Sequence, residues 1–307
     1  MPTLRQLEYL VAVADTLHFH RAAAKVHASQ PTLSSQLKVL ENRLGVELVE
    51  RSRRRVVLTP LGTEVAAIAR RALRDVAEIR NLISANRGEL SGIIRLGLPA
   101  TKGPWFLPRV IPDLHRTFPN LKLHVREDLP RSLVNDLQEG VHDVIIVPIP
   151  VTGPQLQSVA IYREPLYVAV STDHPFARTN RIRRSALKGQ SVLVLGPGHQ
   201  LHELAIALCR ELGAKVLLDY EGTSLDTLRE MVGMGLGITF LPGLYVRTAL
   251  AAHPHIKVLE LQGRPIHRTI GLVWRKASVR HSNYRRLGLL FSEVIRRDFS
   301  DFAPRSR

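Results

Sequence analysis

The chain has 307 residues, 45% of them apolar, which is too long for one comfortable hydrophobic core and suits two or three domains. Aromatics at 5% argue against gripping carbohydrate or single-stranded bases by stacking, and a single cysteine, Cys209, excludes an intrachain disulfide among these residues and any cysteine-rich zinc site. A formal charge of +16 argues for a polyanionic partner, but residues 1–90 carry 14 Lys and Arg against 9 Asp and Glu and residues 91–307 carry 29 against 18, so net charge alone does not locate the contact.

The 13 histidines fall in no metal-binding spacing, so neither metal nor cofactor is expected. No stretch approaches the ~18 apolar residues of a spanning helix. Glu8 and Asp15 interrupt the apolar positions near the start, unlike a signal peptide. A cytoplasmic protein without a membrane partner is the expectation.

In chain order, Leu4, Leu7, Leu10, Val11 and Ala14 recur at helical spacing and predict an amphipathic helix over 3–15. Phe19 turns inward before a short alanine-rich helix at 21–26. Ser29 then stands where an N-cap belongs and Pro31 suits a first turn. Leu33, Leu37, Leu40 and Leu44 mark a core face, and Gly45 closes the helix. Three short helices, the last two separated by a tight turn, are a helix-turn-helix. Residues 48–58 read as two short strands around an arginine-rich tip, a wing.

Thr59 and Pro60 open a long helix reaching about 86, with Val65, Ile68, Ala69, Ala72, Val76, Ile79 and Ile83 on one stripe. At ~1.5 Å per residue it outruns a 58-residue domain. It is expected to pair with a second copy, or else to pack on its own chain. A hinge at 88–92 follows, and from 93 the pattern becomes strand–helix alternation. Strands are predicted at 93–98, 121–127, 144–147, 166–170, 192–195, 216–218, 238–241 and 269–274. Helices are predicted at 107–117, 131–139, 201–212, 224–234 and 280–297, with a second unit beginning near Tyr162 and a tail from Asp298 that carries little to pack. Paired α/β units of this kind leave a cleft, the default place for a small ligand.

The third helix of a helix-turn-helix lies in the major groove with its early residues against base edges. Gln30, Pro31, Thr32, Ser34, Ser35 and Lys38 are the candidates on the face opposite the leucines. Arg51, Arg53, Arg54 and Arg55 at the hairpin tip are candidates for backbone or minor-groove contact. A solvated polar face is the plain alternative for both groups.

The stretches L-R-Q-L-E-Y-L-V-A-V-A (4–14), F-H-R-A-A-A-K-V-H-A-S-Q-P-T-L-S-S-Q-L-K-V-L-E-N-R-L-G-V-E-L-V-E-R (19–51) and L-T-P-L-G (58–62) resemble LysR-type transcriptional regulators. The resemblance extends over essentially the whole chain. It implies a winged helix-turn-helix over 1–58, a linker and dimerisation helix over 59–87, and a two-lobed α/β effector domain like periplasmic binding proteins. Lobe I would comprise 93–163 and 268–300, and lobe II 164–267. The partners implied are double-stranded promoter DNA, a second copy in a dimer or tetramer, and RNA polymerase as a further candidate. Activation of targets and repression of the chain's own gene are implied by analogy.

Within that family, L-P-A-T-K-G-P-W-F-L-P-R-V-I-P-D-L-H-R-T-F-P (98–119), D-H-P-F-A (173–177), G-T-S-L-D-T-L-R-E-M-V-G-M-G-L-G-I-T-F-L-P (222–242) and R-T-I-G-L-V-W-R (268–275) resemble the hydrogen-peroxide-sensing OxyR branch. That branch begins its redox segment G-H-C, and this chain reads Gly198-His199-Gln200. Only Cys209, at the resolving position, remains. Peroxide reduction needs a thiolate, and the Gln200 amide is not one.

The resemblance places Thr101, His199 and Arg268 at pocket positions and Glu203 where the related sensors carry an acid. Pro130 replaces a hydroxyl residue. With Lys102, Gln200 and Ser224 these residues could hold a small effector, anionic or hydrogen-bonding, of unknown identity. The reading is therefore a DNA-binding regulator controlled by an effector in the interlobe cleft. The alternatives are a redox-responsive regulator acting through Cys209 alone, by an intermolecular disulfide or sulfenic acid, and a non-regulatory solute-binding protein. No nucleophile–base–orienter set points to an enzyme.

Overall fold

A computed structural model describes residues 1–51, 56–86, 90–151, 153, 155–218, 222, 224–250 and 253–302, with backbone alone at 51, 77–78 and 80–86. It divides into an amino-terminal unit ending with a long helix and a carboxy-terminal unit that follows it.

In the first unit, helix α1 (Leu4–Thr16) is opened by Thr3 and Gln6, each of which hydrogen-bonds the other's backbone N–H in a capping box. Helix α2 (Phe19–Lys25) and helix α3 (Gln30–Leu44) follow. Ser29 Oγ accepts from the Thr32 N–H at 3.2 Å, and Gly45 ends α3 at φ 70°, a conformation that costs other residues strain. The leucine stripe of α3 falls where its period puts it: Leu33, Leu37 and Leu40 are fully buried with Leu10, Val13, Ala22 and Leu48.

Strands β1 (Val49–Arg51) and β2 (Val56–Leu58) pair antiparallel, with Val49 opposite Leu58. Helix α4 (Pro60–Asn86) is capped by Thr59, whose Oγ1 accepts from the Gly62 N–H at 2.9 Å. Gly62 is required by proximity, because a Cβ there would stand 1.9 Å from the Leu48 carbonyl oxygen. The predicted stripe of α4 splits in two. Ala66 and Ala69 are buried within the unit, whereas Leu61, Ile68, Val76 and Ile79 are exposed.

The second unit is built on a mixed sheet of order β4-β3-β5-β12-β6-β11-β7, with β10 also on β6. Its strands are β3 (Gly92–Leu98), β4 (Leu121–Glu127), β5 (Val144–Ile149), β6 (Leu156–Ser171), β7 (Arg181–Ile182), β10 (Thr239–Pro242), β11 (Ile256–Leu261) and β12 (His267–Arg275). A small parallel pair, β8 (Ser191–Val192) with β9 (Lys215–Val216), stands apart. The helices are α5 (Gly103–Thr117), α6 (Pro130–Glu139), α7 (Gln200–Leu212), α8 (Leu225–Gly233), α9 (Gly243–Ala249) and α10 (His281–Asp298).

Two cores result. One gathers Ile94, Leu96, Phe106, Val110, Ile161, Tyr162, Ile270, Leu272, Leu287 and Phe291, and the other gathers Val168, Ala169, Val192, Leu208, Cys209, Leu228, Phe240 and Leu259. Strand β6 serves both: its first half pairs with β12 and its second half with β10 and β11. The sheet thus crosses from one lobe to the other along β6 and returns along β12, and Glu164 lies directly opposite Arg268 at the crossing.

Several expectations are corrected. No new unit starts at Tyr162, because β6 is continuous through it and the predicted strand 166–170 is its second half. The 192–195 and 216–218 strands shrink to Ser191–Val192 and Lys215–Val216. Helix α5 starts at Gly103 and not at 107, since Pro104 suits a first turn. The tail packs: Phe302 is fully buried in the first lobe, its ring stacked 5.3 Å from Phe299 and 6.5 Å from Tyr162. Among the described residues no helix is long and apolar enough to cross a membrane.

Candidate nucleic-acid interface and interlobe cavity

On α3 the leucines point inward, so the opposite face is polar by default. Gln30, Pro31, Thr32, Ser35 and Lys38 are exposed, and Ser34 is half-buried. Thr32 is partly committed to its own helix, since its Oγ1 lies 2.7 Å from the Ser29 hydroxyl. The Gln36 side chain accepts from Gln6 Nε2 at 3.2 Å, which ties α3 to α1. A residue that periodicity does not single out fixes the wing: Glu41 is buried, and its Oε1 accepts from the backbone N–H groups of Leu48 and Val49 at 3.0 and 3.1 Å. Asp15 likewise binds Lys25 at 2.7 Å and Arg70 at 2.6 Å, locking α1 to α2 and α4. Those two cations hold its carboxyl below the usual range, although burial opposes them as the largest single influence. Arg53, Arg54 and Arg55 lie outside the described residues, as does the side chain of Arg51.

In the second unit a cavity of about 10 Å³, room for one water-sized molecule, sits at the lobe crossing. It is lined by Pro99, Thr101, Lys102, Pro130, Pro148, His199, Gln200, Leu201 and Arg268. Five of the expected effector residues therefore meet: Thr101, Lys102, His199, Gln200 and Arg268. Glu203 and Ser224 do not line it. Glu203 is exposed on the first turn of α7, and Ser224 caps α8, its Oγ accepting from the Asp226 N–H at 3.2 Å.

The electrostatics centre on Glu164, which the sequence reading missed. It is fully buried, and both of its oxygens are engaged. Oε1 accepts from Arg268 Nε at 2.6 Å, and Oε2 accepts from the Leu244 N–H at 2.8 Å. Lys102 is only 2% exposed, and its Nζ lies 3.9 Å from Glu164 Oε1, too far for a hydrogen bond. Nζ has no hydrogen-bond partner, nor has His199 Nε2 across the cavity. Burial, reinforced by Arg268, pushes the Lys102 ammonium well below its ordinary range, against the weaker pull of Glu164. Lys102 is accordingly a neutral amine near pH 7. Burial, and then His202, lower the His199 imidazole too.

Cys209 is elsewhere. It faces the second core, 1% exposed, and burial pushes its thiol up to about 11. A thiol so placed is poor in thiolate at neutral pH.

Comparison with known proteins gives a consistent picture. The family described as "Bacterial regulatory helix-turn-helix protein, lysR family" matches residues 4–63, and "LysR substrate binding domain" matches residues 87–294. The DNA-binding transcriptional dual regulator OxyR of Escherichia coli is 39% identical over 293 residues, covering 95% of this chain and 94% of that protein. A hydrogen peroxide-inducible genes activator of Haemophilus influenzae is 36% identical, covering 95% and 97%. Among solved structures, full-length Pseudomonas aeruginosa OxyR, in a cysteine-to-aspartate variant, matches with TM-score 0.78 at 33% identity, covering 96% of this chain and 95% of that one. A cysteine-to-serine variant of Corynebacterium glutamicum OxyR, described as H2O2-bound, matches with TM-score 0.67 at 30% identity over 100% and 98%.

Proposed function

Because the chain belongs to the LysR family of DNA-binding transcription regulators and is homologous to OxyR over most of its length, we propose that a small effector in the interlobe cavity controls its action on promoter DNA, and that a disulfide within the chain does not. The observation that carries this reading is the placement of polar groups. Lys102 and His199 turn unpartnered atoms into surroundings that Arg268 also lines, while Cys209 is sealed in a core. A buried polar atom without a partner costs roughly 1–3 kcal/mol, and a ligand that satisfied it would recover part of that cost.

At the output end, Gln30, Pro31, Thr32, Ser34, Ser35 and Lys38 face the major groove, and Arg51, Arg53, Arg54 and Arg55 the backbone or minor groove. The exposed Leu61, Ile68, Val76 and Ile79 of α4 supply an apolar face for a second copy, which sets two recognition helices on two half-sites. The full assembly on DNA is a tetramer, with RNA polymerase as a further partner. The solute-binding alternative without regulation does not fit a chain that belongs to this family.

The alternative of peroxide response through Cys209 alone is disfavoured by the same burial. The deciding experiment measures promoter binding of the wild type and of Cys209→Ser, each with and without peroxide. It also includes a thermal-shift screen of small ligands, since one that binds only the folded state raises its stability. The proposal expects identical peroxide behaviour of the two proteins and a ligand that alters DNA binding. A peroxide effect lost in Cys209→Ser would refute it.

A further inference from the structure

Every group that lines the cavity with a free polar atom favours negative charge. Helix α7 reaches it through His199, Gln200 and Leu201 at its amino end, and α5 through Thr101 and Lys102 at its own. A helix start carries partial positive charge and unpaired N–H groups. Arg268 supplies a permanent cation, and Lys102 Nζ and His199 Nε2 are buried atoms without partners. The opposing charge is Glu164, and its two oxygens are already taken by Arg268 and the Leu244 N–H.

Charge balance then sets the terms of entry. Arg268 and Glu164 neutralise each other, and Lys102 is a neutral amine. An anion arriving alone would leave one uncompensated charge in a buried site, which is costly. An anion arriving with a proton would not. We propose that the cavity binds one monovalent anion no larger than formate or nitrite, and that Lys102 takes up one proton in the same step. The amine and a proton from solvent become an ammonium paired with the anion, and no other bond changes. The size limit follows from the cavity of about 10 Å³. This inference rests on the proposed role of the cavity as effector site.

The charged and titratable groups around Lys102 are Glu164 on β6 and Arg268 on β12, with His199 across the cavity and His202 three residues further along α7. Glu127 stands against the neighbouring Gly103, where a Cβ would meet its Oε1 at 1.9 Å. Of these, Lys102 and His199 are the two held neutral by burial, so the test must separate them.

Isothermal titration of the full chain with sodium formate and with sodium nitrite provides that test. It is run at several pH values in pairs of buffers that differ in ionisation heat. The inference expects about one proton taken up per anion, and affinity that falls about tenfold per pH unit above the Lys102 value of the free protein. Lys102→Met and Lys102→Gln should abolish both binding and uptake while melting cooperatively. His199→Gln should weaken binding but keep the proton uptake. Absence of heat with both anions, binding without proton uptake, or unchanged binding in the Lys102 variants would overturn it. Binding of larger carboxylates alone would also overturn it, yet leave the cavity as effector site. Failure of every ligand to bind would remove both.

Discussion

Lys102 is a residue the fold tolerates at a cost. Its amine is buried without a hydrogen bond, and the only carboxylate within 4 Å is already occupied. Lys102→Met keeps the volume and removes the unmet polar atom, so the variant should be more stable than the wild type by ~1–3 kcal/mol near pH 7. The pH dependence has a definite sign. The folded lysine is neutral at pH values where the unfolded one, with an ordinary value of ~10.4, is charged, so the unfolded state binds the extra proton. Wild-type stability therefore rises with pH through that window, and the advantage of Lys102→Met should shrink as pH approaches its upper end. Denaturant melts of both proteins at pH 7 and pH 9 measure this. Glu164→Gln does the opposite: it strands a guanidinium that is 9% exposed and should cost ~3–5 kcal/mol.

At the scale of elements, α3 was legible because cap, proline, leucine period and terminal glycine all agree on one helix. Its core contribution is correspondingly firm, and Leu37→Ala should destabilise the first unit by ~2–5 kcal/mol in a thermal melt. Gly62→Ala should do comparable damage for a different reason, the approach of its missing Cβ to the Leu48 carbonyl. Strand β6 was only half legible. Glu164 and Pro165 interrupt its apolar pattern, and they do so where the strand leaves one core for the other. Glu164 could not have been found by spacing, because its partner Arg268 is 104 positions away and only the strand register brings them face to face. Helix α9 is short, and Phe302 sits in a charged tail whose composition argues for solvent. Thr101, His199 and Arg268 were found through family resemblance. Lys102 and Gln200 were read from the residues themselves.

For the whole molecule, the chain couples a DNA-reading unit to a sensing unit whose cavity lies where two strands cross between lobes. A cavity lined by both lobes can bias their relative position, because a ligand shifts a conformational equilibrium by its differential affinity. Dimerisation belongs to this scale as well. Ile68→Glu with Ile79→Glu should weaken self-association in sedimentation without unfolding either unit, since both side chains are more than half exposed. The account's central claim is control through the cavity and not through Cys209. The most direct test is a footprint on the DNA upstream of the chain's own gene. It compares wild type, Lys102→Met and Cys209→Ser, each with formate or nitrite and with peroxide. The account predicts a footprint that the anion shifts in wild type and Cys209→Ser but not in Lys102→Met, with no response to peroxide that depends on Cys209. A peroxide-dependent shift in wild type that vanishes in Cys209→Ser, with no anion effect in any of the three, would contradict it.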